Sequence, residues 1–158
     1  MHLEQQKAQH AHDVESDPAW TMPKPDRMKS YGFRLAVIVG KLAAVRGDQS
    51  GMLPLAGEAY ATALSSANML GIDLDHELAG GSNGSDVPLF EGLADAAGQY
   101  SDAAEKIDHL EDFVSLLRSA NVEIVRTVAG AAAAHGFDLG TLAEQARRRA
   151  TLSALPSI

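Results

Sequence analysis

The chain contains no cysteine. That excludes a disulfide framework, a thiolate nucleophile, a Cys-based zinc site and an iron–sulfur cluster, and it fits a reducing compartment. It also lacks long apolar runs. The longest, residues 35–40 and 128–134, fall far short of the roughly 20 residues a bilayer span requires. The N-terminal stretch MHLEQQKAQHAHDVESDPAW has no apolar central region of the kind a secretory signal needs, so the expectation is a cytoplasmic protein with no membrane partner. Two nucleotide and hydrolase signatures are missing as well. There is no Gly-x-x-x-x-Gly-Lys-Ser/Thr loop to cradle phosphate and no Gly-x-Ser-x-Gly elbow to present a nucleophilic serine.

Positive charge is scarce where it would matter for a phosphate backbone. Between residues 48 and 112 there are 13 acidic residues and one basic residue, Lys106, within a net charge of -8. Such a block repels nucleic acid, which argues against generic nucleic-acid binding, and a phosphate ligand beside it would need a divalent cation as intermediary. The basic residues lie toward the chain's edges. Arg147, Arg148 and Arg149 read either as cations placed at a helix C-terminus or as a phosphate clamp.

What is present is globular in composition: 158 residues, 46% hydrophobic and 22% charged, about one domain. Alanine-rich segments carry apolar residues at three- and four-residue spacing, and no strand-length alternation of β-branched residues appears. The pattern predicts an all-α bundle of about six helices. Residues 1–25 read as a flexible tail, and Asp26 is a plausible N-cap for a helix bearing Leu35, Ile38, Leu42 and Val45. A second helix is expected from Met52, with Pro54 in its first turn and Gly71 as its stop. Asp73 then caps a short helix. Residues 81–85 read as a linker between a first half, 26–80, and a second half, 86–153. Beyond it, Asp86 is the expected cap of a helix bearing Leu89, Leu93, Ala97 and Tyr100. The following stripe begins at Leu110, and Gly136 and Asp138 separate it from the last helix.

The two halves carry a weak internal repeat. SANMLGIDLDHELA from Ser66 has a counterpart in AAAAHGFDLGTLAE from Ala131, and Gly71, Asp73 and Leu74 match Gly136, Asp138 and Leu139. Either a duplicated helical unit or the ordinary grammar of helix capping accounts for the match.

Several side chains invite a functional reading. His10, His12 and Asp13, with His2, resemble a metal-binding cluster, and the alternative is a solvated polar tail. His76, His109 and His135 are isolated in the sequence. Trp20, Tyr31 and Phe33 could stack on a base or could anchor a core.

The segments GLADAAGQYSDAAEKI from Gly92 and LAGEAYATALSSANMLGIDLDHEL from Leu55 resemble the two half-site helices of the MazG-type all-α nucleoside triphosphate pyrophosphohydrolases. This resemblance implies binding of a nucleoside triphosphate or related nucleotide, with cleavage between the α and β phosphates. It also implies Mg²⁺ held by Glu-x-x-Glu/Asp pairs, a spacing that sets both carboxylates on one helix face. Mapped residue by residue, the acidic positions fall on Ile38, Lys41, Leu55 and Glu58 in the first copy and on Ala96, Gln99, Ala120 and Glu123 in the second. Only Glu58 and Glu123 keep a carboxylate. They are the candidate metal ligands, and Asp102 and Glu105, spaced i, i+3, are candidates to complete a rebuilt site. The alternative expectation is a non-enzymatic helical pseudoenzyme or adaptor that binds a protein partner, or a second copy of itself, through its acidic face or apolar stripes.

Overall fold

The computed structural model describes residues 1–79, 86–109 and 112–154, with the side chains of His109 and Ala154 left out. The expected linker 81–85 and the stripe residue Leu110 therefore lie outside the described residues. Those described form an all-α bundle: α1 (His2–Ser16), α2 (Lys24–Ala44), α3 (Gln49–Leu70), the short α4 (Leu74–Leu78), α5 (Leu89–Lys106), α6 (Val114–Ala134) and α7 (Leu139–Ala154), with no strand among them. Six of the seven helices are substantial.

The framework is a ring of four helices, in which α2 packs on α3, α3 on α6, α6 on α5 and α5 back on α2. Leu35, Ile38, Leu64, Leu93, Leu117 and Ile124 point into its centre and are 0–2% exposed. Helices α1 and α7 lie against α3 and touch each other. Helix α3 is thereby covered on nearly every side, and its composition permits this: Ala56, Gly57, Ala59, Ala63, Ser66 and Ala67 are all buried small residues. At Gly57 the approach is closest. A Cβ there would stand 2.8 Å from the backbone oxygen of Leu142 on α7.

Several stops and starts are as local chemistry dictates. Gly71 and Gly136 adopt left-handed φ values of 69° and 71°, which glycine tolerates without strain. Asp73 accepts a hydrogen bond from the His76 amide (3.2 Å), and Asp138 accepts one from the Thr141 amide (2.8 Å). Other boundaries move. Helix α2 starts at Lys24, so Asp26 sits in its first turn instead of capping it. Helix α3 starts at Gln49 because Asp48 caps it, accepting from the Ser50 amide at 3.0 Å, which leaves Pro54 inside the helix. Helix α5 begins after Pro88, beyond Asp86.

The largest difference is at the N-terminus. The stretch expected to be a flexible tail is α1, docked on α3, α4 and α7. Its buried stripe is His2, Gln6, Gln9 and Asp13, at helical spacing but polar, so hydrophobic periodicity does not reveal it. Hydrogen bonds hold the stripe. The Gln6 side chain donates to the Ile72 carbonyl (2.7 Å) and accepts from the Leu74 amide (3.1 Å), the Asn68 side chain donates to the Gln6 carbonyl (2.8 Å), and His2 Nδ1 meets the Tyr60 hydroxyl at 2.8 Å. Asp75 of α4 receives the α-amino group of Met1 and the amides of His2 and Leu3 at 2.9–3.0 Å, so it caps α1 from across the fold.

Two outcomes follow from these contacts. Replacing Asp75 by Ala should cost about 1 kcal/mol, the ordinary worth of an N-cap acceptor, read by urea unfolding at pH 7. Hydrogen bonds from the Leu3 and His2 amides and the charged amino group hold the Asp75 carboxyl down at about 2. Its contribution is therefore complete above pH about 4, the usual aspartate range, and drains away as the pH falls toward 2. The Asp75→Ala penalty should shrink over that interval. At Gly57, substitution by Ala forces α7 away from α3, with an expected loss of about 1–3 kcal/mol, whereas Ala at the exposed Gly98, where a Cβ meets nothing within 4 Å, should cost nothing.

Candidate functional site

The side chains mapped onto metal-binding positions do not form a metal centre. Ile38 (2% exposed), Leu55 (9%), Ala96 and Ala120 (both 0%) belong to the core, where no donor is available. Glu123 on α6 is paired with Arg126 at 2.7 Å, and Asp102 on α5 is clasped by Lys106 at 2.6 Å. Glu105 stands on the outer face of α5, in a shallow groove with Lys29 and Asp108. Glu58 alone lines a substantial cleft. Among the described residues no three His, Cys, Asp or Glu side chains come together in a way that could hold a metal ion. The donor set does not fit Mg²⁺, which demands oxygen ligands in near-octahedral array: the surviving carboxylates are dispersed, and Glu58, Glu123 and Asp102 each have a cation beside them. The suggested metal cluster in the N-terminal segment is absent too. His2 turns to Tyr60, His10 stacks edge-on against Trp20 at 5.1 Å, and His12 and Asp13 are left as a pair at 3.6 Å.

The cleft that holds Glu58 is built by α1, α2, α3 and α7 and has a volume of about 410 Å³. Helix α1 contributes Gln9, His12 and Asp13, and Asp17 follows at its end. Helix α2 contributes Arg34 and Lys41, and α7 contributes Arg147 and Arg149. Two cations from near residue 40 thus meet two from near residue 148. Helix α7 runs on to Ala154, so these arginines do not sit at its C-terminus and the dipole does not explain them. Their spacing divides the triplet: Arg147 and Arg149 face the cleft, whereas Arg148 turns outward to Glu144.

The charges are unevenly paired. Asp17, whose side chain also accepts from the Ala19 amide, takes a forked contact from Arg34 at 3.1–3.3 Å. Arg149 donates to the Pro54 carbonyl (2.8 Å) and lies 3.5 Å from Glu58. Lys41 and Arg147 have no ion-pair partner among the described residues, and Arg147 has a single 3.3 Å contact with Gln5. Burial pushes the Arg147 guanidinium below its ordinary value, with Glu144, Tyr60 and Asp13 opposing; it remains a cation.

Buried polar atoms without a hydrogen bond gather here. Gln9 Oε1, His12 Nδ1, Arg147 Nη1 and Arg149 Nε are buried without a hydrogen bond, although His12 Nδ1 stands 3.6 Å from Asp13 and Arg149 Nε 3.5 Å from Glu58, and all four residues line the cleft. At the base of the cleft Asp13 is 2% exposed. Burial raises its carboxyl above the usual range, partly offset by hydrogen bonds from Ser65 and Gln9.

In the sequence, side chains of this cleft stand out for separate reasons: Arg147–Arg149 as a phosphate clamp or helix-end cations, Glu58 as a candidate metal ligand, and His12 and Asp13 as part of a metal-like cluster. Lys41 stands out only as a mapped position that lacks the carboxylate, and Gln9 carries no signal in a segment read as tail. Of the aromatic trio, Tyr31 is a core anchor at 1% exposure, while Phe33 is 73% exposed. No helix among the described residues is long and apolar enough to cross a membrane. Comparison of the chain with models of protein families, with curated proteins and with solved structures returns no match.

Asp13 makes a testable contribution. Its raised value means that the ionised form is disfavoured in the folded state, so its stabilising share is complete below the ordinary 3.8 and is lost as the pH rises through the folded value. Asp13→Asn should therefore be at least as stable as the parent at pH 7. Its advantage should vanish toward pH 4, as read by melting temperature across that range.

Proposed function

We propose that this protein is a MazG-like nucleotide-binding protein whose cleft holds phosphate with the basic side chains of α2 and α7, and not through a metal bridged to Glu58 and Glu123. One observation carries the reading: cations from two distant parts of the chain converge on a single cleft, and two of them, Lys41 and Arg147, have no ion-pair partner among the described residues. A guanidinium is a strong recognition element for phosphate oxygens, and Arg147 stands half-buried in the lining of the cleft.

The resemblance map supports the same location. Lys41 and Glu58 are mapped positions of the first copy, on different helices, and both line this cleft. At position 41 a cation takes the place of a carboxylate, which reverses the electrostatics of the site: direct attraction of phosphate replaces attraction through Mg²⁺. The pairing of α2 with α3 and of α5 with α6 is compatible with a duplicated helical unit. The reading is therefore one of binding without metal-dependent turnover.

The adaptor alternative has one observation in its favour. Phe33 and Val37, one helical turn apart on α2, are 73% and 56% exposed.

The test is a panel of ribo- and deoxynucleoside phosphates, scored by calorimetric binding and by pyrophosphate release with Mg²⁺ or Mn²⁺. Expected are binding that persists in EDTA, a loss of at least tenfold in affinity in Lys41→Gln, and no metal-dependent release. Release abolished by a Glu58→Ala, Glu123→Ala double substitution would establish a pyrophosphohydrolase instead. Absence of binding to every nucleotide would leave the adaptor reading, with Phe33→Glu as its probe.

A further inference from the structure

Away from the cleft, helices α2 and α5 form an outer face of the bundle. They run antiparallel, since Lys29 pairs with Asp108, Gly32 lies against Tyr100 and Arg46 pairs with Glu91. On α2 the side chains of Phe33 and Val37 are 73% and 56% exposed, and Ala36, Gly40 and Ala44 are exposed with them. Their three- and four-residue spacing sets them on one side of the helix, as an uncharged stripe. On α5 the exposed positions include Asp95, Gly98, Ser101, Asp102 and Glu105. A groove of about 240 Å³ runs between the two helices, with Phe33 on one wall and Ser101, Ala104 and Glu105 on the other.

Two glycines mark this face. Gly40 and Gly98 lie inside helices, where glycine costs about 1 kcal/mol relative to alanine. A Cβ at either would meet nothing within 4 Å, so packing within one chain does not call for glycine there. Close approach by another molecule does, and the two large apolar side chains beside Gly40 gain from the same burial.

Charge selects the molecule and its orientation. Residues 27–47 hold five cations and no carboxylate, whereas α5 carries Glu91, Asp95, Asp102 and Glu105 against Lys106 alone. Lys29 and Arg46 already reach across to Asp108 and Glu91. Asp95, which accepts from the Gln99 amide at 2.8 Å, and Glu105 have no ion-pair partner among the described residues. A second copy of the chain supplies the complement. Turned about a two-fold axis along the seam between α2 and α5, it lays its basic helix over the acidic one and its acidic helix over the basic one. A two-fold axis across the helices would instead stack α2 on α2 and set like charges together, at a cost. In the first arrangement positions that are level along the seam stay level: each Phe33 meets the other copy's groove, each Lys29 comes beside the other copy's Glu105, and Gly40 crosses near Gly98.

We infer that the exposed α2–α5 face is a homodimer interface in which the Phe33 of each copy fills the groove of the other. The inference is independent of the nucleotide reading. The face is about 27 Å long, the length of the 18-residue α5, and about 20 Å wide. Two copies therefore bury about 1,000 Å², at the lower bound of a specific interface, and the expected dissociation constant is micromolar.

The experiment is sedimentation equilibrium of the full chain, without nucleotide, from about 1 to about 200 μM, a span that brackets such a constant. A reversible monomer–dimer equilibrium is expected. Phe33→Glu and Gly40→Leu, both at exposed positions, should each weaken it tenfold or more with the circular dichroism of the helices unchanged. Glu105→Lys and Lys29→Glu should each weaken self-association by about threefold or more. Mixed in equal amounts, these two variants should regain the parent's affinity as a heterodimer, because opposite charges then meet at both ends. A chain that stays monomeric over the whole range would overturn the inference, as would a dimer indifferent to Phe33→Glu. A dimer that Lys29→Glu tightens, or a mixture that fails to recover, would overturn the placing of α2 against α5.

Discussion

Everything in this fold depends on the enclosure of α3. A helix surrounded by neighbours cannot have one apolar stripe and one wet face, so its residues must be small or able to hydrogen-bond in the dry. Helix α3 meets both conditions. Ala56, Ala59, Ala63 and Ala67 let the neighbouring helices come close, and Gly57 lets the backbone of α7 within reach. Where polar groups are enclosed, they find partners: the Ser66 hydroxyl contacts that of Tyr100 at 2.8 Å and accepts from the Asn121 amide at 3.0 Å, and Tyr60 meets His2. Close packing of this kind gains dispersion energy over many contacts and tolerates little added volume.

The enclosure also creates the cleft. Because α1 and α7 both lean on α3 and meet beside it, their facing side chains are brought to the end of α2 and the outer turn of α3. Arg149 anchors this arrangement by reaching across to the Pro54 carbonyl and Glu58, and Arg34 holds the far wall through Asp17. Those two pairs set the shape. Lys41 and Arg147 line the same cleft without an ion-pair partner among the described residues, and α1 adds Gln9, His12 and Asp13 to the lining.

The electrostatics divide the molecule. The acidic middle of the chain is spread over helix surfaces and partly matched by local cations, as with Asp102 and Lys106 on α5. Such solvated pairs contribute little. The cleft gathers basic residues that flank that acidic block in the sequence. A chain with a net charge of -8 thus gathers Arg34, Lys41, Arg147 and Arg149 against Asp13, Asp17 and Glu58 in one cleft, where the field at close range is set by the nearest few groups.

Helical character, the glycine stops at Gly71 and Gly136 and the aspartate caps at Asp73 and Asp138 were legible in the sequence, because each depends on local backbone chemistry and on apolar periodicity. Leu35, Ile38, Leu93 and Leu117 could be assigned to the core for the same reason. Tertiary structure alone decided that α1 is a docked helix, since its buried face consists of Gln6, Gln9 and Asp13, whose burial is favourable only once specific partners are in place. It alone dispersed Glu58, Glu123, Asp102 and Glu105, and it alone brought Lys41 together with Arg147 across more than a hundred residues of chain. Periodicity tells which face of a helix is dry. It says nothing about which other helix will cover that face, and the charge of a site is settled by that choice.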